Sequence, residues 1–186
     1  MCTPQTAGGR LTVASPPALA DKVRRLFWGL AQGTLFRWSP VPMHGLRCAL
    51  LRCFGAQIDR PAHVYPTAVI WAPWNLEMAE GSCLGPGVTC YSVGQVKLGK
   101  NALVSQGAHL CAATHDHRDP TFPLLIGTIE IGDGAWIAAE AFVGPGVCVG
   151  SHAVVGARAV AMRDVSIGAV VVGNPGRVIS TRRVEK

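Results

Sequence analysis

With 186 residues the chain has the length of one domain and enough apolar residues to build a core. Only 15% of it is charged while Gly and Pro number 22 and 13, a balance that suits a turn-rich repeat and speaks against a helical bundle. The formal charge of +6 favours an anionic partner, yet there is no Lys/Arg-rich run or RNA-binding motif, so nucleic acid is not expected. No apolar stretch reaches the roughly 20 residues of a transmembrane helix.

In chain order, residues 1–20 are rich in Gly, Pro, Thr and Ala and read as a flexible tail. Residues 21–55 read as a helical cap. A first helix spans Asp21 to Trp38, with Val23, Leu26, Phe27 and Leu30 at helical spacing. Ser39-Pro40-Val41-Pro42 breaks the chain, and a second helix runs from Met43 to Phe54, with Leu46, Leu50 and Phe54 on one face and Gly55 ending it. Lys22, Arg24, Arg25, Arg37, Arg47 and Arg52 lie beside Trp28 and Trp38 in this segment. Such a segment suits either a lid over the open end of a repeat or a peripheral contact with an anionic membrane; the lid is favoured.

From Ile131 to Ile167 an aliphatic or small residue recurs at every sixth position (Ile131, Ile137, Val143, Val149, Val155, Ala161, Ile167), with Ala or Val four residues after each start. A period of six fits neither an amphipathic helix nor an alternating strand and marks the hexapeptide repeat of a parallel β-helix, here residues 56–167. The register extends back through Leu98, Val104 and Leu110, then Met78, Leu84 and Cys90, then Ile58, Val64 and Ile70, giving about five coils. Ile70 to Met78 and Cys90 to Leu98 span eight residues and Leu110 to Ile131 spans twenty-one, so with three hexads per coil every insertion falls at one edge of the prism. The longest, residues 111–130, is where chemistry is expected, because rigid scaffolds carry sites on their loops. In residues 168–186, Val170 to Val172 reads as a last strand, Asn174-Pro175 as a turn, and Arg177 to Lys186 as a basic tail leaving the prism.

The hexads, the Thr114-His115-Asp116-His117 loop, Trp136-Ile137 and the closing Gly173-Asn174-Pro175-Gly176-Arg177 together resemble the left-handed β-helix acyltransferases. Within them, Met43-His44-Gly45, Leu51-Arg52-Cys53-Phe54-Gly55-Ala56 and Ile70-Trp71-Ala72-Pro73-Trp74-Asn75-Leu76-Glu77 resemble the colanic acid biosynthesis acetyltransferase branch, near the maltose and galactoside O-acetyltransferases. The resemblance implies an all-β fold, a left-handed parallel β-helix with an N-terminal helical cap. The handedness comes from it alone, since the usual crossover rule favours the opposite hand. It also implies acetyl-CoA as co-substrate, a homotrimer, and transfer of acetyl to a hydroxyl without a covalent enzyme intermediate.

Direct transfer needs a base for the alcohol proton, and of six histidines the resemblance selects His115. Asp116 is the candidate to hold the imidazole in one tautomer, a role a backbone carbonyl could equally fill, and His117 is a candidate for acceptor binding. Counting six from Ile70, Cys90 and Leu110 gives Asn75, Gln95 and His115, a possible column along the insertion edge with Trp71, Trp74 and Tyr91 nearby. Aromatic faces beside amides suit a sugar ring, although Trp71 and Trp74 could instead pack against the N-terminal helices. The resemblance places coenzyme A between subunits, beside Trp136, Ala139, Gly156 and Ala157, with Arg163 standing where relatives keep Lys and Arg177, with Arg182 or Arg183, near the 3′-phosphate. Glu140 flanks that groove as a candidate for acceptor contact. Leu84 to Val93 carries no carboxylate where the maltose and galactoside enzymes bind acceptor, so neither maltose nor a simple galactoside is the expected acceptor; the colanic acid resemblance implies a sugar hydroxyl of a surface polysaccharide or its precursor. An antibiotic-type small molecule is the main competitor. A zinc hydratase of the γ-carbonic anhydrase kind, using His109, His115 and His117, is a further alternative; no metal is expected. Seven cysteines without a CxxC pair read as reduced thiols, and no secretory signal is evident, so the expected location is cytoplasmic or membrane-peripheral.

Overall fold

The computed structural model describes residues 11–16 and 18–182, so the expectations for residues 1–10 and for Arg183 lie outside the described residues. From Gln57 to Val172 the chain winds as a three-sided parallel β-helix. The first sheet stacks Gln57–Ile58, Leu76–Met78, Val96–Leu98, Ile129–Ile131 and Cys148–Val149. The second stacks His63–Val64, Cys83–Leu84, Leu103–Val104, Trp136–Ile137, Val154–Val155 and Ala169–Val172, and the third Val69–Ile70, Thr89–Tyr91, His109–Cys111, Phe142–Val143 and Val160–Ala161. Two-residue strands separated by tight corners leave one side chain per hexad pointing at the axis. These side chains stack in register: Ile58, Met78, Leu98, Ile131 and Val149 on one wall, Ile70, Cys90, Leu110, Val143 and Ala161 on another. All of them are buried, which carries the burial that no single hexad could supply. Burial pushes the axial Cys90 thiol up to about 12, so it behaves as an inert apolar filler.

The register fails at its end. Ile167 is 62% exposed, and the buried residue is Val165, which bridges Val149. The edge that is lengthened in the first three coils is here shortened by two residues. The Asp164 carboxylate accepts the Cys148 N–H at 2.9 Å, so a side chain takes the place of a backbone partner and the coil closes early. Arg177 does not begin a departing tail either. Arg177–Thr181 turns back antiparallel on Ala169–Val172 and covers the outer edge of the second sheet, which would otherwise offer unpaired backbone groups.

At the other end, α1 (Leu19–Ala31) runs into a π-helical turn, Gln32–Phe36, and α2 (His44–Cys53) follows. The lid is α2, whose Arg47, Cys48 and Leu51 are buried against the first coil. Arg47 points inward and is satisfied by backbone carbonyls and the Ser39 hydroxyl. Its Nε donates to the Val64 carbonyl at 2.6 Å and its Nη1 to the Ser39 hydroxyl and Pro40 carbonyl, each at 2.8 Å. It thereby ties the Ser39–Pro42 break to the prism.

The first helix docks by the side opposite to the expected one. Trp28 is its buried anchor, donating Nε1–H to the Ile70 carbonyl at 2.7 Å and stacking edge-on with Phe36 and Phe54. Gln32 accepts the Ile70 N–H, Arg24 donates to the Phe54 carbonyl and lies over the Trp74 ring, and Arg25 lies over Trp71. Leu19, Val23, Leu26, Phe27 and Leu30, the periodic apolar stripe, face away from the prism and are exposed. The segment expected to be loose through residue 20 is also partly built in: Thr12–Val13 is a strand paired antiparallel with Leu125 and Ile126.

Candidate active site

The long insertion leaves the third sheet after Cys111 and rises as a hairpin. Ala113–His115 pairs antiparallel with Leu124–Ile126, and Thr12–Val13 adds a third strand on the outside, so His115 stands on a three-stranded ribbon and not on a free loop. His115 is exposed, and its Nδ1 lies 2.6 Å from the Phe122 carbonyl oxygen. A carbonyl can only accept, so Nδ1 is the donor in this bond, and in the neutral ring the lone pair falls to Nε2. Phe122 is held for this task with φ of 47°, in a turn closed by Asp119: the Phe122 N–H donates to the Asp119 carbonyl, and Thr121 donates both its N–H and its hydroxyl to the Asp119 carboxylate. Those two Thr121 bonds hold the Asp119 carboxyl below the usual carboxylate range. Asp116 does not orient His115. Its carboxylate accepts the Arg118 N–H at 3.0 Å, capping the hairpin turn, and the tautomer-setting role falls to the Phe122 carbonyl. His117 is exposed at the same turn. Neither Asp119 nor Phe122 stands out in the sequence; the Asp-Pro-Thr turn signal at 119–121 was the available clue.

The proposed column does not reach His115. Leu76, Val96 and Ile129 are paired, so Asn75 and Gln95 stack beneath Thr128, the far end of the insertion. The Asn75 amide is consumed by the Ser92 and Val93 carbonyls at 3.0 and 2.9 Å, bracing the corner of the second coil, and Gln95 reaches Glu77 at 3.4 Å. The aromatic pair does form on this edge. Trp71 and Tyr91 have ring centroids 5.2 Å apart, Trp71 is 41% exposed, and Tyr91 pairs in register with Cys111, the residue from which the hairpin departs. Trp74 is partly buried against the core under Arg24, the packing alternative.

The residues expected at the coenzyme groove lie mainly on another edge, between the second and third sheets. Trp136 is on the second sheet with a half-exposed ring, its Nε1–H donating to the Ser105 hydroxyl of the coil below at 2.8 Å. One corner onward are Ala139 and Glu140, and one coil above them Gly156, Ala157 and Arg158, bound through the Arg158 N–H to the Ala139 carbonyl. Glu140 and Arg158 both adopt left-handed backbone (φ of 57° and 58°), and Arg158 Nε donates to the Glu140 carboxylate, holding it charged and below the usual range. Gly156 has no room for a side chain, since a Cβ would meet Val172 at 2.8 Å. Arg177 starts the antiparallel strand beside Val172 on this edge, and Arg182 reaches the Gly134 carbonyl at 3.5 Å. Arg163 sits apart, exposed on the insertion edge. His109 also lies elsewhere, on the third sheet with its ring edge-on to Phe142. No cluster of three metal-ligating side chains occurs among the described residues. Within one chain, therefore, the imidazole and the flat Trp136 face stand on different edges, with the third sheet between them.

A regular β-helix carrying an imidazole on a braced hairpin and a small-residue edge with a flat indole is the architecture of a hexapeptide-repeat acyltransferase. No protein-family profile matches the chain. It is 36% identical over 162 residues, 87% of its own length and 89% of the relative's, to the "Putative colanic acid biosynthesis acetyltransferase WcaF" of Escherichia coli K12. Its fold matches the crystal structure of a maltose O-acetyltransferase from Clostridium difficile 630 with a TM-score of 0.79 at 22% identity, covering 95% of this chain and 94% of that one. It also matches a hexapeptide-repeat acetyltransferase of Vibrio cholerae complexed with acetyl-CoA, with a TM-score of 0.78 at 20% identity, covering 90% and 91%. The shared fold is the left-handed β-helix. The chain belongs to the hexapeptide-repeat acetyltransferase family, and it is an acyltransferase of the coenzyme A-dependent kind.

Proposed function

We propose that the protein transfers acetyl from acetyl-CoA to a sugar hydroxyl of a polysaccharide or its precursor, with His115 as general base, and that it works as a cytoplasmic homotrimer. The observation that carries this reading is the contact of His115 Nδ1 with the Phe122 carbonyl oxygen: with Nδ1–H spent there, Nε2 is the basic nitrogen of the neutral ring, presented on a three-stranded ribbon. Nε2 takes the hydroxyl proton as the alcohol oxygen bonds to the thioester carbonyl carbon; the tetrahedral intermediate then expels the coenzyme thiolate, which recovers the proton from the imidazolium. No acyl-enzyme is needed. Trp71 and Tyr91, stacked beside the foot of the hairpin, offer the sugar an aromatic face, with His117 at the hairpin tip. The arrangement of Trp136, Ala139, Gly156 and Ala157 suits the pantetheine arm, and Arg177, beside Val172 on the same edge, suits its phosphates.

Separation of the two halves supports the trimer. Since the His115 ribbon and the Trp136 edge are on different edges of one prism, a complete site needs the ribbon of one protomer against the Trp136 edge of the next. A sugar acceptor accords with the colanic acid relative and the maltose-enzyme fold neighbour, and with the aromatic pair. Incubating the purified protein with acetyl-CoA and bacterial surface glycans, followed by mass spectrometry, should show glycan gaining acetyl that mild alkali removes. Acetyl transfer to chloramphenicol with no modified glycan would replace the sugar reading by the small-molecule one.

A further inference from the structure

The first helix is inverted relative to an ordinary surface helix. It holds the prism through Trp28, Gln32, Arg24 and Arg25 and turns its apolar stripe outward, with Leu26 63%, Phe27 59% and Leu30 60% exposed. The apolar surface continues past the helix through Leu35 and Trp38, the latter 83% exposed. A contiguous apolar face of this size on a short chain marks an interaction surface. Charge identifies what it meets. Residues 19–38 contain four basic side chains, Lys22, Arg24, Arg25 and Arg37, against one acidic, Asp21. Lys22 and Arg37 are exposed along the stripe. Beside it a groove of about 470 Å³ runs between α1 and the strand Val69–Ile70, lined by Lys22, Arg25 and Trp71 among others. Two copies meeting through this face would set like charges against each other. An anionic bilayer would take the leucines and Phe27 at the acyl boundary, the Trp38 ring at headgroup level, and the cations against lipid phosphates.

We infer that residues 19–38 form a monotopic membrane-docking surface that seats the enzyme on an anionic lipid leaflet, with α1 lying in the interface plane. This is independent of the acceptor's identity; it sets the enzyme's position, not its chemistry. No helix among the described residues is long and apolar enough to cross a membrane, which agrees with docking by a helix lying flat.

The test uses the full chain and sucrose-loaded vesicles of phosphatidylcholine, alone or mixed with phosphatidylglycerol. Co-sedimentation is expected with the mixed vesicles, weakening as salt screens the exposed cations, and little with phosphatidylcholine alone. The double variant Leu26→Asp/Leu30→Asp should lose about tenfold or more in vesicle partitioning while keeping its melting temperature and oligomeric mass. Lys22→Glu/Arg37→Glu should weaken binding to the anionic vesicles selectively. Absence of co-sedimentation, or equal binding by the Leu26/Leu30 variant, would overturn the inference. Dissociation of the oligomer in that variant would also overturn it, by assigning the face to a second copy of the chain.

Discussion

Ser105 has no visible link to chemistry, yet its hydroxyl is the acceptor that fixes the Trp136 indole at 2.8 Å, and Ser105→Ala tests whether that indole is a coenzyme contact. A neutral hydrogen bond of this kind is worth about 0.5–1.5 kcal/mol net. The ring is 43% exposed, so the lower half of that range applies, and the dissociation constant for free coenzyme A should rise about two- to fivefold. Melting should fall by only about 1–4 °C, because the axial residues Val104 and Ile137 beside this pair stay buried. Trp136→Phe keeps a flat face but removes the donor, so it should cost about as much as Ser105→Ala, whereas Trp136→Ala should cost more. The two changes act on one bond, so the double variant Ser105→Ala/Trp136→Phe should be no weaker than Trp136→Phe alone. Titration calorimetry with coenzyme A reads the four variants against the parent. A coenzyme affinity untouched by Trp136→Ala, or additive losses in the double variant, would refute the placement of the groove.

Arg47→Met should remove the donors to Pro40, Val41 and Ser39 while the His44 ring still reaches the Val64 carbonyl, for a loss of about 2–3 kcal/mol, or roughly 5–10 °C in melting temperature. His109 Nε2 is buried without a partner, and burial holds the ring's pKa below its ordinary value. The unfolded chain therefore binds the proton more readily, so stability should be complete above about 6.5 and decline as pH falls below it; His109→Leu should flatten that part of a melting-temperature profile. Deleting residues 1–16 removes the outer strand of the His115 ribbon and should lower kcat by roughly tenfold with little change in prism melting, as read by steady-state kinetics and circular dichroism.

The prism axis was legible because each hexad repeats one physical demand, a single inward side chain over a neighbour of the same kind, and the pairing of Ile70, Cys90 and Leu110 follows directly from it. Counting failed wherever something other than the repeat set the spacing. At Ile167 a carboxylate from Asp164 replaced a backbone partner and shortened the corner. Past Leu110 the chain left the prism for a hairpin, so His115 could not remain in the column of Asn75 and Gln95. The stripe of α1 was read correctly as a stripe, but periodicity gives the face and not its direction; Trp28, Arg24 and Gln32, with their hydrogen bonds to the first coil, decided that. His115 was singled out by the family resemblance, whereas the group that sets its ring orientation is a backbone carbonyl, which leaves no trace in residue identity.

The role proposed for the His115 Nε2 is removal of the acceptor proton. Replacing His115 by Gln keeps a polar side chain on the same ribbon but no base, so the measurement is kcat for acetyl transfer from acetyl-CoA to the acceptor glycan in the parent and in His115→Gln, with melting temperature and oligomeric mass as controls. A loss of about 10²–10⁴ in kcat with both controls unchanged is the predicted result. A correctly folded His115→Gln enzyme within about twofold of the parent rate, far short of a general base's contribution, would contradict it.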